Sequence, residues 1–330
     1  MTNSTVNTFF LQTIKNLQKF HLYIIYGLLL LLFGLFFLYQ IESKQTDINY
    51  DEVLVEQEGG EHLRMMIPDS RAKLFALPEK IDFAGENVPL EIEEVRERYE
   101  REIYVNAYWQ SNMILLMKRS AKYLPTIERI LKEHNIPEDF KYLAIAESGL
   151  LHVTSAAGAK GFWQFMPATA KEYDLEVSND VDERYHLEKS THAACKYIKA
   201  AYARFGSWTS VAASYNMGMS GLSRRKNDQK QSNYYDLLLN DETSRYVFRV
   251  LAFKEIFEQP EKFGFNLKEE DYYKLPITRE IKVDQNINDL AEWAIKHNSS
   301  YKDLKILNPW LRSGKLRTAR GKEYLIQLPV

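Results

Sequence analysis

The feature that most constrains this chain is an uninterrupted apolar run near its start. Residues 22–39 read LYIIYGLLLLLFGLFFLY, eighteen positions without a charge. A helix rises about 1.5 Å per residue, so a run of this length just crosses a hydrocarbon core. A soluble core helix keeps some polar face, and a cleavable leader has a shorter apolar stretch followed by small residues. Here the run exits through Gln40, Ile41 and Glu42, and no cysteine nearby offers a lipid attachment point. Lys15 and Lys19 precede it, whereas Glu42, Asp47, Asp51 and Glu52 accompany Lys44 after it. Positive charge is retained on the inner side of a membrane, which predicts a short cytoplasmic tail over residues 1–21 and export of everything after the span. Tyr23, Tyr26 and Tyr39 stand where interfacial aromatics sit. The reading is one uncleaved transmembrane anchor.

Beyond the span, residues 40–90 read as a linker: charged, interrupted by Gly59-Gly60, with no sustained period. From residue 91 the spacing turns helical. Ile92, Val95, Tyr99, Ile103, Ala107, Ile114 and Met117 predict helix over 91–120, and a second helix is expected over 125–134 with Asn135 as its stop. Pro137 opens a third that Gly149 closes, and others are expected over 189–204, 208–215 and 244–257. Residues 91–260 therefore form a mainly α domain. Alternation fit for strands is seen only in the last fifty residues, where 279–283 and 322–329 flank two helical stretches at 287–297 and 301–308.

Composition excludes more than it identifies. The formal net charge of −2 carries no basic surplus for nucleic acid. A single cysteine, Cys195, excludes an internal disulfide and a cysteine-based zinc site, and its alanine-rich setting predicts a small buried hydrophobe. His134, His152, His186 and His192 do not form a metal-binding spacing, and Gly158-x-x-Gly161 lacks the Lys-Ser/Thr of a phosphate loop. No metal and no cofactor are expected.

The third helix carries the chemistry. Phe140, Leu143, Ala144 and Glu147 fall at i, i+3, i+4 and i+7, so a carboxylate shares the apolar face. Desolvation there raises its pKa, the condition for a general acid near neutral pH. On periodicity alone a capping or ion-paired glutamate is the better reading. The context narrows it: Glu147-Ser148-Gly149 is followed by Ser155 and Gly161-Phe162-Trp163-Gln164-Phe165-Met166-Pro167, then Ala213-Ser214-Tyr215-Asn216-Met217-Gly218, then Glu242-Thr243-Ser244-Arg245-Tyr246. This ordered set resembles the lytic transglycosylases of the goose-lysozyme-like superfamily, and the segment 181–191 narrows the likeness to their membrane-bound D type.

The resemblance implies a lysozyme-like transglycosylase (SLT) helical domain that cuts peptidoglycan glycan strands, with Glu147 as acid/base and Tyr215 as a catalytic tyrosine beside it. It implies substrate contacts from Ser155, Gln164, Met166, Asn216, Glu242 and Tyr246, while Trp163 reads as core. Departures fall at Phe162, Ser214 and Met217, which are packing or subsite positions, and at Tyr185-His186, which opens the role of Glu183. A hydrolase needs a second carboxylate, and Asp182 or Glu183 is the candidate the fold can bring near. The βααβ order of residues 277–330, with Asn308-Pro309 after its second helix, resembles a LysM glycan-binding module, although Asp284-Gln285-Asn286 stands where such modules carry Gly-Asp-Thr. Together these imply an enzyme of the bacterial inner membrane with its catalytic domain in the periplasm. The rival readings are a hydrolytic muramidase and a non-catalytic wall-binding anchor.

Overall fold

The computed structural model describes residues 50–56, 62–68, 73–318 and 321–330. The expected anchor at 22–39 lies outside them, and among the described residues no helix is long and apolar enough to cross a membrane. The chain divides after Leu74 into two compact units. In the first, β1 (Tyr50–Glu56) pairs antiparallel with β2 (His62–Pro68), in register from Tyr50↔Pro68 to Glu56↔His62. Residues 40–90 were expected to form a featureless linker. Here they hold a hairpin whose charged, seven-residue strands carry little of the alternation that announces one.

The second unit begins with a further departure from that expectation. β3 (Asp82–Phe83) and β4 (Glu86–Asn87) turn over Ala84 and Gly85, both at positive φ. Phe83, Val88 and Leu90 are 0–1% exposed and belong to the helical core. Glu86 caps a later helix: its carboxylate accepts the N–H groups of Trp208 (2.6 Å) and Thr209 (2.9 Å). Burial opposes its charge, yet these bonds hold its carboxyl below the usual range.

The helices follow as α1 (Glu93–Ala107), α2 (Gln110–Glu133), α3 (Lys141–Ser148), α4 (Pro167–Glu172), α5 (Leu187–Phe205), α6 (Trp208–Met217), α7 (Met219–Gln229) and α8 (Asp241–Glu258). The expected break at Pro125 is absent. α2 runs through that proline, and the chain breaks instead at Tyr108-Trp109. α8 is the hub, packing on α1, α3 and α6, while α2 packs on α5. Trp163 and Cys195 are fully buried, as expected of core residues, and burial pushes the Cys195 thiol up to about 12.

The C-terminal piece is βααβ. β5 (Thr278–Val283) pairs antiparallel with β6 (Tyr324–Pro329), and α9 (Leu290–Lys296) and α10 (Tyr301–Leu307) lie between. Its core of Leu290, Leu304, Trp310, Leu316, Ile326 and Leu328 is continuous with Val181 and Tyr185 of the helical part. Polar contacts seal the join. Asp182 N–H donates to the Trp310 carbonyl (2.9 Å), Arg312 N–H donates to that of Asp180 (2.7 Å), and Arg317 Nε donates to the Asp180 carboxylate (2.7 Å). The module is seated on the helical domain through residues 176–186.

Candidate active site

Pro137 leads into a single 3₁₀ turn and then α3, which ends where Gly149 takes the left-handed conformation at φ +56°. Phe140, Leu143 and Ala144 are fully buried, and this stripe carries Glu147 inward at the helix end. Ser148 ties that end to the following loop. Its hydroxyl lies 2.9 Å from the Phe162 carbonyl and accepts the Leu150 N–H at 3.1 Å. Arg119 Nε donates to the Gly149 carbonyl at 2.8 Å, so both strands leaving the acid are fixed.

Glu147 is half-buried, and its Oε1 accepts a hydrogen bond from the Tyr246 hydroxyl at 2.6 Å. Burial pushes its carboxyl up to about 7. The Tyr246 bond and the positive charge of Arg249 oppose that rise, and the negative charge of Glu242 adds to it. Position at a helix C-terminus also disfavours the anion. A carboxyl in this state can hold a proton at neutral pH and give it up to a substrate oxygen.

Tyr246, expected as a substrate contact, is the tyrosine bonded to the acid. Tyr215 was expected beside the acid, but its hydroxyl donates to the Trp163 carbonyl at 2.8 Å, and Tyr246 makes the direct bond to Glu147. Both phenols are raised well above the usual range, first by burial and then by the negative charge of Glu147. Asn216 Oδ1 accepts from Thr243 Oγ1 at 2.8 Å, which joins α6 to the first turn of α8. Glu242 is exposed in that turn, with Arg249 Nη1 at 3.1 Å.

The remaining predicted residues lie on the loop between α3 and α4. Ser155 is exposed, and its Oγ accepts the Ala159 N–H at 3.0 Å within a tight turn. Gln164 sits at φ +46°, and its Nε2 folds back on the Gly161 carbonyl at 2.8 Å. Met166 is 42% exposed at the start of α4. Arg184 pins this loop from behind, donating to the Gly158 and Phe165 carbonyls at 3.1 Å each. Gly161 has no room for a side chain, because a Cβ there would stand 1.8 Å from the Arg184 carbonyl oxygen.

Asp182 and Glu183, the expected candidates for a second carboxylate, are each tied to partners of their own. Both Asp182 oxygens are taken by Arg184, at 2.8 and 2.7 Å. Glu183 accepts from Lys189 Nζ at 2.5 Å and from the Glu176 N–H at 2.8 Å. The charges that act on Glu147 are Arg249 and Glu242. Arg249, Arg184 and Ser148 are the residues sequence reasoning missed. Arg249 and Ser148 border motif residues, but nothing in their spacing reports what they bind. Among the described residues no group of three or more His, Cys, Asp or Glu is arranged to hold a metal ion.

Two stretches of the chain match known family models. Residues 125–238 match the Transglycosylase SLT domain, and residues 279–330 match the Soluble lytic transglycosylase C-terminal LysM-like domain. The chain thus carries a lysozyme-like SLT domain followed by a LysM-like domain. It is homologous to membrane-bound lytic murein transglycosylase D of Escherichia coli (strain K12), 27% identical over 258 residues, covering 74% of this chain and 54% of that protein. A putative tributyltin chloride resistance protein of Alteromonas sp. (strain M-1) is 30% identical over 102 residues, 30% of this chain and 49% of that one. The chain spans about half the length of the curated relatives it matches. Among solved structures, the 70 kDa soluble lytic transglycosylase SLT70 of Escherichia coli aligns with a TM-score of 0.34 and 20% identity, over 46% of this chain and 26% of that one. An inactive mutant of the lytic transglycosylase Slt from Pseudomonas aeruginosa gives 0.36 and 16%, over 56% and 36%.

Proposed function

We propose that this chain is a peptidoglycan lytic transglycosylase with Glu147 as its single acid/base. The observation that carries the reading is the state of that carboxyl: half-buried, bonded by one phenol, and raised to about 7. Glu147 protonates the oxygen between N-acetylmuramic acid and N-acetylglucosamine. The resulting carboxylate then takes the proton of the muramoyl 6-hydroxyl, whose oxygen closes onto the anomeric carbon as a 1,6-anhydro ring. One group on one face of the sugar suffices for both transfers, and the nucleophile is tethered to the substrate. Tyr246 orients Oε1, so Oε2 carries the reacting proton. Tyr215 fixes the Trp163 backbone beside it. Ser155, Gln164, Met166, Asn216 and Glu242 line the glycan path, with Met166 as its exposed apolar wall.

In the same reading, residues 22–39 anchor the chain in the inner membrane and the catalytic domain works in the periplasm, with residues 40–74 between them rather than the expected 40–90, because Phe83, Val88 and Leu90 belong to the helical core. The LysM-like module adds weak glycan affinity, which raises local substrate concentration without new chemistry. Its shallow groove lined by Val283, Asp284, Asn286, Asp289, Trp293 and His297 is the surface for that contact. Mass analysis of sugar ends after digestion of purified peptidoglycan tests the chemistry. Anhydro-ended muropeptides are expected, and predominant reducing ends would make the protein a muramidase.

A further inference from the structure

The charge opposite Glu147 is governed from a neighbouring helix. α8 lays Glu242, Tyr246 and Arg249 along one stripe, at i, i+4 and i+7, and Tyr246 touches the acid at 2.6 Å. Arg249 stands one turn further on. Its Nη1 is 3.1 Å from Glu242 Oε1 and its Nε is 3.7 Å from Glu102 Oε2. Glu102, on α1, is only 1% exposed. Its Oε1 is bonded by Arg101 Nη1 at 2.6 Å and by Arg245 Nε at 2.7 Å. Arg101, Arg245 and Arg249 thus converge on one carboxylate buried away from water, with Arg249 on its Oε2 side.

Other groups near the acid are already committed. Tyr215 on α6 is bonded to the Trp163 carbonyl, Arg119 on α2 to the Gly149 carbonyl, and Lys141 on α3 itself to Glu128 and Glu138. That leaves Arg249 as the cation whose field reaches Glu147 and Glu242 as the opposing anion at the surface.

We propose that Glu102 is a positioning residue for the proposed reaction: the buried counter-charge that holds Arg249 one helical turn from Tyr246, the phenol bonded to Glu147, and offsets its positive field there, so that the acid keeps its proton. The inference rests on the reading of Glu147 as acid/base. With Glu102 neutral, Arg249 favours the Glu147 anion and the protonated form is lost at lower pH. With Arg249 neutral, the opposite holds.

The test compares pH–rate profiles on purified peptidoglycan for the parent, Glu102→Gln, Arg249→Gln, Arg249→Lys and the double Glu102→Gln/Arg249→Gln protein. The alkaline limb is expected to fall by roughly half a pH unit or more in Glu102→Gln and to rise by a similar amount in Arg249→Gln. It is expected to stay in place in Arg249→Lys and to return toward the parent in the double variant. A loss of packing alone moves no limb in opposite directions. If Glu102→Gln does not fold, the Arg249→Gln and Arg249→Lys pair decides. Limbs that superimpose on the parent while Glu147→Gln is inactive overturn this inference alone. An active Glu147→Gln overturns the acid/base reading itself.

Discussion

Two kinds of carboxyl in this fold are held in opposite ways. Asp182 and Glu183 are 3% and 4% exposed, and every one of their oxygens meets a cation or a backbone N–H. Glu147 is half-buried at the end of an apolar stripe, and its contact is one neutral phenol. Burial alone therefore does not decide whether a carboxylate is structural or chemical. The partner decides: a guanidinium locks the negative charge in place, whereas a tyrosine leaves the proton exchangeable.

Glu147→Gln separates the two most sharply. An amide cannot donate and then accept the same proton, so glycan cleavage is expected to fall by about 10²–10⁴-fold with the fold intact. A loss below tenfold on purified peptidoglycan would end the acid/base assignment. On the structural side, Arg184→Ala leaves Asp182 buried without its cation and releases the Gly158 and Phe165 carbonyls. A destabilisation of about 3–5 kcal/mol is expected from chemical denaturation. A change under 1 kcal/mol would show that water replaces the clamp. The smallest effect has the opposite sign. Glu147 titrates near 4.5 when unfolded and near 7 when folded, so the folded state binds more protons in that window. Stability from this group falls as pH rises through it and stays lower above it. Glu147→Gln is therefore expected to be more stable than the parent at pH 8, by up to about 3 kcal/mol, with the difference gone below the unfolded pKa. Equal melting temperatures at both pH values would contradict the raised pKa.

What the sequence disclosed followed local signals. Pro137, the apolar stripe through Phe140, Leu143 and Ala144, and the Gly149 stop delimit α3 and aim Glu147 inward, because helix caps and period are short-range properties. The alternating ends of the C-terminal module are legible for the same reason. α7 escaped notice because its run Ser223-Arg224-Arg225-Lys226-Asn227-Asp228 has no stripe, and Leu222 is its one buried residue. Pro125 was misread as a helix start, a role in which proline is common, while tertiary packing keeps α2 continuous through it. The direct bond from Tyr246 lay out of reach, since 99 positions separate Glu147 from its phenol. Only the fold decides which of two motif tyrosines points at the acid.

The seat of the C-terminal module also sets an order of events. Asp180 meets Arg317 across 137 positions of chain, and Tyr324 reaches Glu176 across 148. Loops that long close late, after the local helices have formed. Synthesis runs from the N-terminus, so the segment that carries Arg184 is made well before the residues that cover Val181 and Tyr185. The segment that clamps the Gly158 and Phe165 carbonyls is therefore covered by residues made more than a hundred positions later. The cover over Val181 and Tyr185 is thus a late joint between two regions that each take their helices from local signals.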